Sequence, residues 1–228
     1  MFQGQPKRHP LYPKLQLFYG THYRNLEISY VENKPLILDY LERAYQTQWK
    51  ALDQYERVLA LRFDLRFPYW MDGSWIGNDN QKISVFLRHF NEEIVRANTK
   101  YPTTVRYVWC REQSSSENPH YHFMLYLNYN AFSRMGRVKP SRDGEYGGDC
   151  IYHRLARSWA KALNIYQCDS IGLVQVGEKT FGGGVFEPCL NRNDWMAQED
   201  AFFRVSYLCK EHTKTFGNSF HVFGTSRI

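Results

Sequence analysis

The sequence predicts an α+β domain in which a central antiparallel sheet of about five strands is flanked by helices. Hydrophobic and charged side chains alternate over residues 57–67, and this period-two pattern is typical of a strand with one buried face. Two further strand-like segments, 103–113 and 120–127, are separated only by a short polar stretch, so we expect them to pair as an antiparallel hairpin. Segments with helical periodicity lie before, between and after these strands in the sequence. We therefore expect helices and strands to pack in one core.

The chain before the first predicted strand divides into two parts. Prolines at positions 6, 10 and 13 disfavour regular structure, so residues 1–32 are predicted to form an arm. Apolar residues then recur at helical spacing over 34–57, which predicts a long amphipathic helix. We therefore treat 1–56 as an N-terminal arm and helix, and 57–228 as the main domain.

The rest of the chain alternates between periodic apolar segments and polar segments rich in glycine. Apolar residues fall on one face of each helical segment, as expected for helices that pack on a sheet. In chain order, the pattern predicts a loop over 72–80, a helix over 81–98, the two hairpin strands, a basic loop over 133–149, a helix over 150–163, short strands over 170–176 and 184–188, and a final helix over 197–214.

The composition narrows the functional classes. The 228 residues carry a net charge of +6 and include 17% aromatic residues. This combination suits a nucleic acid, because cations neutralise phosphates and aromatic faces stack on unpaired bases. No apolar run approaches the ~18 residues of a membrane span, and the polar start lacks the apolar core of a secretory signal, so we expect a cytoplasmic protein. Five cysteines without a C-x-x-C pair argue against a disulfide framework or a structural zinc site.

The strongest local motif is His120-Tyr121-His122. Alternate residues of a strand point to the same face, so both imidazoles are expected to project side by side, where they can share a metal ion. Glu112 lies near the end of the preceding strand, and antiparallel pairing brings it across from the histidines. Glu117, in the connecting turn, is the alternative third ligand. Two imidazoles and a carboxylate suit a divalent cation, Mg²⁺ or Mn²⁺, that keeps open positions for water and phosphate.

A second motif lies in the last predicted helix. Tyr207, Lys210 and Lys214 follow the spacing i, i+3, i+7, so a helix places them along one face. A tyrosine flanked by cations can attack a phosphate, provided that positive charge offsets its ordinary pKa of about 10. The competing interpretation is a tyrosine at the edge of a core face beside two solvated lysines.

Six short segments, taken together, resemble the HUH endonucleases, and most closely the replication initiators of filamentous phages and their prophage-encoded relatives. Within roughly 57–224, the segments are LALRFDLRFP, NPHYHFMLYLN, GLVQV, VFEP, FFRVSYLCKEHTK and FGNS. The resemblance implies an HUH-type, ferredoxin-like fold in which His120 and His122 bind the metal and Glu112 is the third ligand. It also implies that Tyr207 is the nucleophile and that Lys210 positions the scissile phosphate or stabilises the phenolate.

The resemblance further implies the reaction. Tyr207 attacks a phosphodiester of single-stranded or locally melted DNA, the 3′-hydroxyl leaves, and a 5′-phosphotyrosine retains the bond energy for rejoining. Position 203, one turn before Tyr207, is Phe, so a single tyrosine is expected. The chain has no G-x-x-x-x-G-K-[ST] loop, so the helicase, like the polymerase, is expected to come from the bacterial host. The implied role is initiation of rolling-circle replication.

The remaining cations are predicted to contact the DNA backbone. They lie in the first predicted strand, in the basic loop and after Tyr207, and they are Arg62, Arg66, Arg134, Arg137, Lys139, Arg142 and Lys214. Three other functions stay open from the residues alone. The chain is alternatively a relaxase or transposase that nicks for transfer, a DNA-binding regulator without catalysis, or a metal-dependent hydrolase that uses water. The sequence leaves the oligomeric state open.

Overall fold

The computed structural model describes residues 6–77, 80–113, 118–179, 182–217 and 220–226. In chain order, the strands are β1 (Pro6–Arg8), β2 (Gln16–Phe18), β3 (His22–Tyr23), β4 (Leu26–Glu27), β5 (Leu36–Ile37), β6 (Val58–Arg66), β7 (Arg106–Glu112), β8 (His120–Asn128), β9 (Val174–Val176), β10 (Cys189–Leu190) and β11 (Phe223–Thr225). The helices are α1 (Leu38–Gln54), α2 (Gly73–Ile76), α3 (Gln81–Arg96), α4 (Ile151–Leu163) and α5 (Trp195–Ser206), with 3₁₀ turns at Cys168–Ser170 and Tyr207–Cys209.

Six strands form the central antiparallel sheet, in the order β10-β6-β8-β7-β11, with β9 also paired to β6. The predicted α+β class and the β7–β8 hairpin are confirmed. The sixth strand, β11, was not predicted because three residues carry no alternating pattern. It is fixed instead by its partner β7, since Gly224 faces Trp109 so closely that a Cβ at this position would lie 2.6 Å from the indole.

Helices cover both faces of this sheet. On one face, α3 and α4 pack with the sheet around Phe63, Phe123 and Trp159. On the other face, α1 and α5 enclose a second core that contains Tyr126 and Phe202. Because both faces are covered along the middle of the strands, a ligand can reach the sheet most readily where the helices stop. None of the helices in the described ranges is both long and apolar enough to cross a bilayer.

The last helix is shorter than predicted. It ends one residue before Tyr207, which begins a single 3₁₀ turn, and Lys210 then becomes extended with φ −58° and ψ 137°. Lys210 forms an isolated β-bridge with Leu36, and this pairing directs the chain away from the helix axis. The predicted helical face shared by Tyr207, Lys210 and Lys214 is therefore wrong.

Two other predicted elements are displaced. The helix predicted over 34–57 begins only at Leu38, because Leu36 and Ile37 pair with β2. The strand predicted over 184–188 contributes only one bridge, from Val185 to Glu178, and the sheet pairing starts afterwards in β10. The segment predicted as a loop over 72–80 contains the short helix α2. Helices α3 and α4 and the long strands of the main domain match their predicted positions within a few residues.

The prediction of an arm without regular structure is wrong for its described residues. Here β1, β2 and β5 form a small sheet, and β3 and β4 form a hairpin. Pro6 is compatible with this sheet because it is the first residue of an edge strand. Leu26, Ile28 and Leu36 are buried in the same core as α1 and α5, so this segment is packed against the rest of the protein.

The N-terminal segment also holds the chain that follows Tyr207. His9 Nδ1 accepts hydrogen bonds from the backbone amides of Leu11 and Tyr12, so its Nε2 carries the proton and donates to Glu211 Oε1 at 2.9 Å. The amide of Glu211 donates to the carbonyl of Pro35 at 3.1 Å. We call these contacts between residues 9–36 and 210–216 the terminal clamp, and Tyr12 extends the clamp through its hydroxyl, which donates to a carbonyl at position 216.

Candidate functional site

The candidate site lies at the end of β6, β7 and β8, on the sheet face that α1 and α5 cover further along. The register places Asp64 directly opposite His122 and Glu112 directly opposite His120. Period-two alternation then directs all four side chains to the same face. The pairing of Glu112 with the histidine strand is the arrangement that the hairpin predicted.

Glu112, His120 and His122 form a compact ligand set. One ligand atom from each side chain lies within 4.8 Å of the other two. The Nδ1 atom of His120 is buried and has no hydrogen-bond partner among the described residues. Buried polar atoms usually have partners, so an unpaired imidazole nitrogen beside a carboxylate fits a cation site. The donors are those that Mg²⁺ or Mn²⁺ accepts in mixed nitrogen and oxygen sites.

The alternative ligand, Glu117, lies outside the described residues. Glu112 itself is held from two sides. Its Oε1 accepts a hydrogen bond from Thr213 Oγ1 at 2.7 Å and lies 3.4 Å from Lys214 Nζ. Burial raises the pKa of Glu112, but hydrogen bonding to His122 and the charge of Lys214 outweigh it and lower the pKa to about 2. Glu112 is therefore a carboxylate at neutral pH.

His122 stands between two carboxylates. Its Nε2 lies 3.2 Å from Glu112 Oε2, and its Nδ1 lies 2.7 Å from Asp64 Oδ1 and 2.8 Å from Arg62 Nη2. A neutral imidazole carries one proton, so it donates to one carboxylate only. With the proton on Nε2, His122 donates to Glu112 and accepts from Arg62. With the proton on Nδ1, it donates to Asp64 and leaves the Nε2 lone pair for a metal ion.

Charges around the site favour its metal-binding protonation state. Burial raises the pKa of Asp64, but its hydrogen bond with His122 and the charge of Arg62 outweigh burial and hold that pKa well below its usual range. Burial and the neighbouring His122 lower the pKa of His120, which favours the neutral imidazole. A carboxylate and a neutral imidazole are the forms that bind metal ions.

Tyr207 adjoins this cluster. Its ring centroid lies 5.6 Å from that of His122 in an edge-to-face arrangement, and Lys210 Nζ lies 3.8 Å from the tyrosine ring centroid. Burial, followed by the charge of Glu112, raises the pKa of Tyr207, so the phenol is protonated at neutral pH. Attack on a phosphate therefore requires additional positive charge near the hydroxyl.

The structure separates the other predicted cations into three groups. Arg62 belongs to the site through Asp64 and His122. Arg66 lies at the adjacent strand end, where its Nε donates to Gln175. The basic loop presents its cations on the other side of the sheet, because its buried residues join the core of α3 and α4; these exposed cations are Arg134, Arg137, Lys139 and Arg142.

Lys214 was predicted to contact the DNA backbone from the helical face that it would share with Tyr207 and Lys210, and the structure corrects this placement. Its side chain has no exposed area and pairs with Glu112. The difference follows from the early end of α5, which lets the chain turn back toward the sheet. Lys214 therefore stabilises the charged form of Glu112 from inside the protein.

Two residues of the site were missed in the sequence. Asp64 sits in the same alternation as Arg62 and Arg66, so its face was predictable, but its contact with His122 depends on a long-range register. Thr213 carries no sequence signal, because its position depends on the turn that follows α5.

Comparison with known proteins shows which family the chain belongs to. The profile of the YagK/YfjJ C-terminal domain matches residues 20–226, which include every residue of the site. The chain belongs to the YagK/YfjJ C-terminal domain family. It is 24% identical over 206 residues to the uncharacterized protein YagK of Escherichia coli K12, covering 84% of this chain and 94% of YagK. It is 26% identical over 207 residues to the uncharacterized protein YfjJ of the same strain, covering 82% and 93%. No solved structure matches the chain significantly.

In this YagK/YfjJ-family domain, Glu112→Gln is expected to weaken metal binding. The substitution keeps the shape of the side chain but removes the charge that pairs with Lys214 and faces His122. Calorimetric titration with Mn²⁺ measures the apparent metal affinity. Glu117→Gln is the matched comparison, and a metal-dependent defect in that variant alone would transfer the third-ligand role to Glu117.

Asp64→Asn is expected to weaken metal binding of the family domain roughly 10- to 100-fold, because outer partners of a ligating histidine typically contribute this much. The amide oxygen accepts a hydrogen bond from the Nδ1–H of His122 less strongly than a carboxylate does. The tautomer that leaves Nε2 free therefore becomes less populated. Calorimetry with Mn²⁺ measures the affinity, and NMR of the imidazole nitrogens reports the tautomer. An unchanged tautomer and affinity would remove Asp64 from this role.

Proposed function

We propose that this YagK/YfjJ-family domain is an HUH-type endonuclease that nicks and rejoins single-stranded DNA through a covalent bond to Tyr207. The observation that carries the proposal is the position of Tyr207, whose ring lies 5.6 Å from that of His122. A tyrosine is thereby held next to a cluster of two imidazoles and a carboxylate that suits a divalent cation. The net charge of +6 supports a polyanion such as DNA as the partner.

Each residue of the site has a separate role in the proposed reaction. Glu112, His120 and His122 would hold Mg²⁺ or Mn²⁺, which when bound withdraws charge from the scissile phosphate and stabilises a nearby phenolate. Tyr207 Oη gives its proton to water and forms a bond to phosphorus, while the bond from phosphorus to the DNA 3′-oxygen breaks. The released 3′-oxygen takes up a proton from water and becomes a hydroxyl. Lys210, above the tyrosine ring, stabilises the negative charge on the phenolate.

The product keeps a phosphodiester bond between Tyr207 and the 5′ end of the strand. A 3′-hydroxyl can therefore attack the same phosphorus and rejoin a strand without ATP. We propose that this activity initiates rolling-circle replication in a bacterial cytoplasm, with helicase and polymerase supplied by the host. A relaxase or transposase would use the same chemistry on another element.

One observation favours a second candidate, a DNA-binding regulator without catalysis. Burial and the charge of Glu112 raise the pKa of Tyr207, which disfavours the phenolate that a nucleophile needs. The two candidates differ in whether bound metal and DNA reverse this effect.

The test is a search for the covalent intermediate. The protein is incubated with single-stranded DNA of its own replicon, with Mg²⁺ or Mn²⁺ or with EDTA, and separated under denaturing conditions. A metal-dependent band that joins protein and DNA is the expected result. Cleavage without a joined band would instead indicate a hydrolase that uses water, and binding without cleavage would indicate the regulator.

A further inference from the structure

A cavity of about 380 Å³ opens beside Tyr207. Its lining includes His122 and Asp64 from the site, and it therefore adjoins the place where the scissile phosphate would lie. The volume falls at the lower end of the roughly 300–1,000 Å³ that small-molecule sites occupy. The cavity is thus large enough for a single flat group next to the nucleophile.

Phe203 forms part of the cavity wall in a way that core packing does not explain. Its neighbour Phe202 is completely buried, whereas Phe203 is 38% exposed. Phe203 lies four residues before Tyr207, which follows α5 directly and keeps helical dihedral angles (φ −53°, ψ −37°), so both side chains project on the same side and both line the cavity. An aromatic face is therefore presented to the solvent next to the predicted nucleophile.

The other walls of the cavity are polar and cationic. Arg204 lines it while its Nε donates to Asp200 and its guanidinium lies 4.0 Å from the ring of Phe186, which fixes the arginine in place. Gln175 also lines the cavity, held by the Nε of Arg66 at 2.8 Å. A group with a flat apolar face and a polar edge satisfies both kinds of wall.

We propose that this cavity holds one unpaired nucleobase of single-stranded DNA, stacked on Phe203 beside the phosphate that Tyr207 attacks. The inference rests on the proposed function, from which it takes single-stranded DNA as the substrate. It adds the site where one base of that DNA binds. Gln175 and Ser29 offer hydrogen-bonding groups to the edge of the base, and the guanidinium of Arg204 offers charge to the adjoining phosphate. Stacking tolerates any base, so the edge contacts decide which base is preferred.

The test compares two oligonucleotides with equal phosphates: a fluorescent dT15 and a 15-mer of abasic residues. Binding is measured by anisotropy with Mg²⁺, in the Tyr207→Phe background so that cleavage does not contribute. In this background, the protein that retains Phe203 is expected to bind dT15 more tightly than the abasic strand. Phe203→Ala is expected to lose roughly 5- to 150-fold of affinity for dT15, the range expected for one stacked base, and little for the abasic strand. Phe203→Leu keeps the apolar bulk and should lose the same preference, whereas Phe203→Trp should keep it.

Met196→Ala is the matched control, because Met196 is a highly exposed apolar residue at the other end of α5. An unchanged preference for dT15 in Phe203→Ala and Phe203→Leu would overturn the proposal, and so would a chain with Phe203 that does not distinguish the two strands. Failure of the proposed function has a different signature. The wild-type protein would then form no covalent adduct, while the dependence of base preference on Phe203 would remain.

Discussion

Tyr207→Phe is expected to abolish the covalent protein–DNA adduct. The change removes only the hydroxyl that forms the bond to phosphorus, and it leaves the ring beside His122 and under Lys210. DNA affinity should change by no more than about threefold, because phosphate contacts dominate binding and none of the cations is altered. Denaturing gels measure the adduct, and anisotropy measures the affinity.

Tyr166→Phe provides the control, since Tyr166 is a highly exposed tyrosine that follows α4 on the other layer of the protein. This variant should form the adduct at the wild-type rate. If Tyr207→Phe still became linked to DNA, another residue would be the nucleophile, and the chemical role assigned to the turn after α5 would be refuted.

His120→Ala is expected to reduce metal affinity and nicking by at least about 100-fold, because loss of a direct ligand should exceed the 10- to 100-fold cost of losing an outer partner. His120 is the cleaner choice of the two histidines. Its Nδ1 has no hydrogen-bond partner among the described residues, whereas His122 contacts Asp64, Arg62 and Glu112. Calorimetry with Mn²⁺ and the gel assay measure the two effects.

A thermal melt without metal should show that His120→Ala remains folded. His221→Ala serves as the comparison, because His221 is exposed and uses its backbone, not its imidazole, to contact Asn80. Wild-type nicking in EDTA, or normal metal affinity in His120→Ala, would contradict the assignment of the metal centre.

The sequence could place the ligand set because local rules determine it. Period-two alternation puts His120 and His122 on one face, and the antiparallel pairing expected of two neighbouring strands brings Glu112 opposite. The contact of Asp64 with His122 follows from the pairing of β6 with β8, and these strands are far apart along the chain. A single sequence contains no measure of that register.

The turn after α5 could not be predicted for a similar reason. Helical spacing over 197–214 is a local signal, but Lys210 pairs with Leu36, and this distant partner ends the helix. The N-terminal prolines likewise indicate irregular structure locally, whereas burial of Leu26 and Ile28 against α1 and α5 orders the segment. In each case, tertiary pairing overrode a local preference.

The terminal clamp has a consequence for when the site comes into existence. His9 and Glu211 are separated by 202 positions, and the chain between them is synthesised before they can meet. The segment that carries Tyr207, Lys210 and Thr213 leaves the ribosome long after the segment that it pairs with in the clamp. Closure of so long a loop follows formation of the local elements. We therefore expect a nascent chain to lack the clamped arrangement of Tyr207 until the segment after α5 has emerged and paired with residues 9–36, so that the proposed activity would arise only after this late pairing.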